Sequence, residues 1–268
     1  MAVRYEQQGD VAVITLDRPE VYNAIDRRLA FELVEAIERA GEEARAAVVT
    51  GAGKAFCAGA DLAMFGEAID TGQLDLATHL VEVFHPVIEG MLDAQVPTIA
   101  AINGVVAGAG MGIALASDLR VISTDAYFVS AFIGIGLVPD SGSTWFLPQL
   151  VGLSRAMDLT LTNRRVPADE ALRIGLVHRL EESDDLLARA LEWAGELADG
   201  PTTAYVATRK LLRDAAGSDF ATALRAEKEM QGLLGGSPEN REGVRAFLEK
   251  RKPDFRASEE LDLSEEPT

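Results

Sequence analysis

A single cysteine, Cys57, cannot close an intrachain disulfide, which suits a reducing compartment. Lying in KAFCAGAD with no activating group beside it, it reads as a small buried hydrophobe rather than a nucleophile. Histidine is scarce as well, and His79, His85 and His178 show no metal-ligand spacing with the cysteine or with one another. No GxSxG elbow supports a Ser/His/Asp triad. No apolar run approaches the ~20 residues needed to span a bilayer, and MAVRYEQQGD lacks the apolar segment of a signal peptide. A soluble, cytoplasmic chain without a membrane partner is expected. Positive charge is also short, with 25 Lys and Arg against 43 Asp and Glu for a net charge of −18, which argues against a nucleic-acid or anionic-membrane partner.

What is present is globular in character: 268 residues, 48% hydrophobic and 25% charged, are enough for one sizeable core. VAVITL, Val11 to Leu16, is bounded by Gly9-Asp10 and Asp17-Arg18-Pro19 and reads as a strand. Asn23 to Asp26 lead into a helix on which Leu29, Leu33, Ile37 and Ala40 share a face, with Asp26 as its cap. AAVVTGAG is the next strand and turn, and residues 63–95 read as helical, least regularly between Gly66 and Asp75. LSRAMDLTLTN is a helix by pattern; a short helix then begins near Pro167 and ends at Gly175, and a strand follows. From Asp184 onward the period is helical in Leu186 to Leu197, Thr202 to Ala216, Phe220 to Leu234 and Pro238 to Glu249, punctuated by Pro201, Gly217 and Gly235-Gly236. The tail ASEELDLSEEPT is acidic with few apolar residues, and disorder is expected there.

The organising stretch runs from Val96 to Pro148. The apolar run Thr98 to Ile102 ends at Asn103-Gly104, and Gly108, Gly110 and Gly112 follow before the helical IALAS, giving a strand, a glycine loop and a helix start. Glycines there either admit another molecule's atoms to the backbone, where unpaired N–H groups favour negative charge, or simply allow tight strand-to-helix packing. A GxGxxG dinucleotide fingerprint starting at Gly108 fails at Ile113. Further on, IGLVPDSGST places Asp140 after Pro139 in a turn. On local pattern it reads as the N-cap of the next helix.

Together, RPEVYNAID, VVTGAGKAFCAGADL, AAINGVVAGAGMG and IGLVPDSGST, in this order, resemble the crotonase superfamily of enoyl-CoA hydratases and isomerases from about Val11 to Phe255. The resemblance implies an α/β ββα-spiral core, drawn here as residues 1–200, a helical oligomerisation region at 201–256 and an acidic tail at 257–268. It implies a homotrimer or dimer of trimers acting on an acyl-CoA, with coenzyme A carried as substrate and no separate cofactor. The oxyanion of the thioester would be held by the backbone N–H groups of Ala60 and Ala109. Arg18, Ala24, Ala58, Gly59, Asp61, Leu62, Gly108, Phe132 and Pro139 would line the CoA and acyl site. Arg18, Lys54, Arg251 and Lys252 are the candidates to meet CoA phosphates, and Phe132, Ile135 and Trp145 to wall the acyl pocket.

Hydratases of this family carry two glutamates whose aligned positions here are Gly112 and Phe132. Neither can move a proton. Asp140 falls where some Δ3,Δ2-enoyl-CoA isomerases and the ring-epoxide isomerase of phenylacetate degradation carry their acid. One carboxylate that takes and returns a proton suits a double-bond shift better than the addition of water. The expectation is therefore an enoyl-CoA isomerase working through Asp140, with three alternatives: a hydratase-type lyase, a ring-1,2-epoxyphenylacetyl-CoA isomerase, and an inactive acyl-CoA-binding protein.

Overall fold

Residues 1–66 and 70–257 are described in the computed structural model. The acidic tail from Ser258 onward lies outside the described residues, as does part of the irregular segment between Gly66 and Asp75. The larger sheet is built on β2 (Val11–Leu16), β3 (Ala46–Gly51), β5 (Thr98–Ile102) and β7 (Leu119–Ser123), which pair in parallel in that order. Every residue of β2 and of β5 is buried, because a parallel strand covered on both faces has no solvent side to make polar. β1 (Val3–Gln8) pairs antiparallel with β2 from Val3↔Leu16 to Gln8↔Val11, and β10 (Arg179–Glu181) closes the far edge on β7.

A smaller sheet has the order β4 (Ala55–Cys57), β6 (Val105–Ala107), β8 (Tyr127–Val129), β9 (Val166–Pro167). Each repeat thus lays one strand in the large sheet, turns tightly, and lays the next in the small one: β3 then β4, β5 then β6, β7 then β8. Helices return the chain to the start of the next repeat. α1 (Arg27–Glu43) joins β2 to β3, with the Asp26 carboxylate accepting from Leu29 N–H at 2.7 Å as its expected cap. Between β4 and β5 a helical stretch begins at Leu76–His79, widens to π geometry over Leu80–Phe84 and continues as α2 (His85–Asp93). α3 (Ala109–Ala116) joins β6 to β7 and is buried all round. α4 (Ser143–Val151), α5 (Leu153–Thr162) and α6 (Ala168–Arg173) complete the last turn. This is the ββα spiral that the motifs implied.

The large sheet separates two apolar layers, as strand alternation requires. Ala12, Ile14, Leu16, Val49, Ala100 and Ile102 face the spiral interior. Val11, Val48, Ile99, Ala101 and Val121 face α7 (Leu186–Ala198), which lays Ala190, Ala194 and Ala198 flat against them. Burial of a side chain such as Ile14 or Leu16 contributes about 1.5–3 kcal/mol. Next come α8 (Thr202–Ala215), α9 (Phe220–Leu234) and α10 (Pro238–Glu249). α8 is fixed to the core through Asp118, whose two carboxylate oxygens accept from Arg209 at 3.1 Å and Arg213 at 2.8 Å. Among the described residues, no helix is long and apolar enough to cross a membrane.

Two expectations are corrected: Val105–Ala107 is a strand of its own, and α3 begins at Ala109, so Gly110 and Gly112 lie inside the helix rather than in a loop before it. Three residues are too few to show a period, and β6 exists because β4 and β8 flank it.

Candidate active site

The first loop is sewn onto the start of the small sheet. Asn23, fully buried at φ 57°, sits in a left-handed conformation that asparagine tolerates better than most residues. Its amide donates to the carbonyls of Ala52 at 2.9 Å and Ala55 at 2.8 Å, and its oxygen accepts from Arg18 N–H at 2.9 Å. Asn23→Ala strips these bonds from buried carbonyls, so it is expected to cost about 3 kcal/mol, read as a lower urea midpoint at unchanged slope.

The same loop sets the turn after β4. Ala58 N–H donates to Tyr22 O at 3.0 Å, Ile25 N–H to Gly59 O at 2.7 Å and Asp61 N–H to Ile25 O at 3.0 Å. Ala60 is therefore bridged to Ile25 as a parallel pair. Gly59 and Asp61 spend their groups on Ile25, and alternation along the strand turns the Ala60 N–H to the opposite side. Ala109 opens α3, where the first N–H groups have no intrahelical acceptor. Among the described residues neither N–H donates to a protein group.

Glycine brings the two together. Gly59 has φ 91°, and a methyl group built on it would stand 2.8 Å from Ala107 O, 3.1 Å from Ala109 N and 3.3 Å from Gly108 Cα. The turn holding Ala60 thus lies directly on the turn holding Ala109. Two neighbouring N–H groups without a protein acceptor, one of them at a helix N-terminus, are the kind of donors that can hold a developing oxyanion.

The turn that carries Asp140 packs on the same helix through Ser141. A methyl group built on Gly112, one turn beyond Ala109, would stand 2.1 Å from the carbonyl oxygen of Ser141. The Asp140 carboxylate accepts from the Ser141 hydroxyl at 2.8 Å and caps nothing: α4 is preceded by Gly142 and receives no side-chain cap. The N-cap reading of Asp140 is thereby set aside, and Asp140 contributes only its main-chain carbonyl, which accepts from Ser143 N–H at 2.9 Å. Burial pushes the Asp140 pKa above its ordinary value, opposed by the Ser141 hydrogen bond and by the positive field of His85. The sequence marks His85, on α2, only by its lack of metal-ligand spacing, and carries no signal for its influence on Asp140.

The enoyl-CoA hydratase/isomerase family pattern matches residues 6–258. The chain belongs to the enoyl-CoA hydratase/isomerase family. It is 43% identical over 253 residues to the Rhodobacter capsulatus protein named probable enoyl-CoA hydratase, covering 94% of this chain and 97% of that one. With the 1,2-epoxyphenylacetyl-CoA isomerase of Escherichia coli it shares 35% identity over 249 residues, covering 91% and 94%. Among solved structures, a Mycobacterium abscessus protein whose name assigns it to the enoyl-CoA hydratases/isomerases superposes with a TM-score of 0.89 at 40% identity, over 95% of this chain and 99% of that one.

The two positions where this family's hydratases carry glutamate are closed here by different means. At Gly112 the backbone of Ser141 fills the space a side chain would need. At Phe132 a buried ring stands over the glycine turn, its Cζ 4.0 Å from a methyl built on Gly108. Of the other wall candidates, Ile135 is exposed, while Trp145 lines a different cavity of about 500 Å³ with Arg120, His178, Arg209 and Arg213. α4 turns Trp145 toward Tyr205 and Leu212 of α8 in that cavity. Ala24 is buried, Ala58 and Pro139 are half-buried and Leu62 is exposed.

The cation candidates divide. Arg18 is held by Asp61 at 2.9 Å and Asp26 at 3.1 Å, Arg251 by Glu242 at 2.6 Å and Glu249 at 2.7 Å, and Lys252 by Asp199 at 3.0 Å. These pairs brace loops, whereas Lys54 is exposed and, among the described residues, makes no ion pair. Two acids of the neighbouring motifs are engaged, Asp61 with Arg18 and the Ala63 N–H, and Asp158 with Arg164. Cys57 is fully buried, and burial pushes its thiol up to about 12, as a small hydrophobe's surroundings would.

Proposed function

We propose that the chain is an acyl-CoA isomerase that shifts a double bond from the 3- to the 2-position of an enoyl-CoA. Asp140 takes a proton from C2, the electrons of the broken C–H bond move onto the thioester oxygen as the bond migrates, and the same carboxyl returns the proton at C4. Ala60 and Ala109 N–H hold the oxyanion throughout. Coenzyme A enters as part of the substrate, and no other cofactor is needed. Lys54 is the cation best placed to meet its phosphates.

The observation that carries this reading is the contact between Gly112 and Ser141. It leaves no room for the first hydratase glutamate and brings a lone, partly desolvated carboxyl into its neighbourhood. Proton exchange needs one such group; hydration needs a second to activate water. Deuterium exchange at C2 and C4 of 3-enoyl-CoA, run beside hydration of 2-enoyl-CoA, tests it, and hydration without exchange would defeat it. Opening of a ring-1,2-epoxyphenylacetyl-CoA is the second reading, supported by the 35% identity to the Escherichia coli isomerase. Including that thioester in the panel decides between them.

The cytoplasm is the compartment this reading assigns, and the assembly is a homotrimer or a dimer of trimers. Support comes from apolar side chains left uncovered on the outer helices, among them Leu153, Met157 and Leu161 on α5 and Phe220, Phe247 and Leu248 on α9 and α10. Mass measurement in solution is expected to return three or six chains; a species of one chain would defeat the assembly.

A further inference from the structure

We infer that Gly112 and Ser141 are positioning residues for Asp140: the bare backbone at 112 is the seat on which the Ser141 turn rests, and that turn aims the carboxylate. The inference rests on the reading of Asp140 as the proton-transfer group and adds how its position is set.

The seat is closely fitted. A methyl group on Gly112 would meet Ser141 O at 2.1 Å, Ser141 Cβ at 2.8 Å and Ile88 Cδ1 at 3.1 Å. A main-chain carbonyl cannot swing aside as a side-chain tip can, so any residue larger than glycine must move the turn. The turn has little freedom of its own. Ser141 is 2% exposed and lies at φ 49°, a left-handed conformation that a residue with a Cβ keeps only when its surroundings impose it. Gly142 follows at φ 76°, with Phe146 Cε2 2.6 Å and Ile88 Cγ2 3.6 Å from where its Cβ would be. Trp145 and Phe146 N–H both donate to Gly142 O at 2.9 Å, which locks the turn to α4.

Two consequences follow for the carboxylate. Its main chain is held by the seat on α3, and one of its oxygens by the Ser141 hydroxyl. Ala109 opens that same α3, so an oxyanion donor and the seat beneath the base share one short buried helix and keep a fixed separation. A hydratase glutamate restored at 112 would not add an acid to the present site. It would displace the acid already there.

The experiment measures deuterium exchange into 3-enoyl-CoA against pH for the full chain, with G112A, S141G, G112A/S141G and D140N beside wild type, and thermal unfolding recorded for each. G112A is expected to lower kcat for exchange about tenfold or more, since small misplacements of reacting groups carry large rate costs, while KM stays within about twofold. S141G takes the left-handed turn without strain but cannot donate, so the acid limb of its profile should move to higher pH, as follows when a bond to the ionised form is lost. The double variant should recover part of the G112A loss, because glycine at 141 removes one of the clashing atoms and lets the carbonyl rotate.

Wild-type rates and profiles in both G112A and S141G would overturn the inference even when D140N is dead. Should G112A fail to fold, the S141G profile decides alone, and an unshifted acid limb overturns it. Exchange that survives in D140N overturns instead the reading of Asp140 on which the inference stands.

Discussion

Asp140→Asn is expected to lower deuterium exchange at C2 and C4 of 3-enoyl-CoA by about 10²–10⁴-fold, the range that one positioned acid–base group supplies. KM should change little, because asparagine keeps the size of the side chain and can still meet the Ser141 hydroxyl. Asp61 and Asp158 are each held by an arginine, so neither is free to substitute. Exchange undiminished in the variant would mean that the proton passes through another group, and the isomerase mechanism would fall.

The pH behaviour has a definite sign. Burial raises the Asp140 pKa, so the basic form gains population only as the pH climbs through a value above the ordinary carboxylate range, and the acid limb of kcat/KM should lie there. For stability, a carboxyl with a raised folded pKa costs nothing below its unfolded pKa. The cost sets in between the two pKa values and is complete above the folded one. Asp140→Asn removes that cost, so the variant should melt higher than wild type at neutral pH and lose the advantage once the pH falls below the ordinary carboxylate range. An enzyme made inactive and more stable by the same change is what a desolvated functional carboxyl predicts. Equal melting temperatures at neutral pH would argue that the carboxyl is solvated when folded.

Much of the fold was legible because its central pieces carry long patterns. Val11 to Leu16 and Thr98 to Ile102 are unbroken apolar runs, and the helices Phe220–Leu234 and Pro238–Glu249 fall where their period and flanking glycines put them. β1 and β6 were not legible. β1 buries only Val3 and owes its place to backbone pairing with β2, and β6 has three residues between two neighbours from distant parts of the chain. The site divides in the same way. The motifs marked Ala60, Ala109 and Asp140, but local pattern favoured Asp140 as a cap, and only the geometry around Gly142 removes that role. Arg18 is a candidate for CoA phosphates by sequence, yet Asp61, distant in sequence, holds it. The seat beneath Ser141 is likewise a non-local contact, and the sequence displays it only as a missing glutamate.

Gly59→Ala is the second large effect expected, with kcat for exchange lowered about 10²–10³-fold, the scale of losing one oxyanion donor. Gly59 sits at φ 91°, and its added methyl would press on Ala107 O and Ala109 N together. The turns carrying the two N–H groups must then part, or the Gly59 peptide must rotate and take the Ala60 N–H with it. Under the proposed mechanism, either movement spoils a pair of donors that must both meet one oxygen. The strain should also cost about 1–3 kcal/mol of stability, so activity has to be measured well below the melting transition. Gly217→Ala serves as the control, since its methyl meets nothing within 4 Å, and it should leave exchange unchanged. If Gly59→Ala kept wild-type kcat while melting lower, the two N–H groups would be structural neighbours and the oxyanion would have to be held elsewhere. A fall in kcat at nearly constant KM would place the loss in the transition state, where a developing oxyanion is the group that needs them.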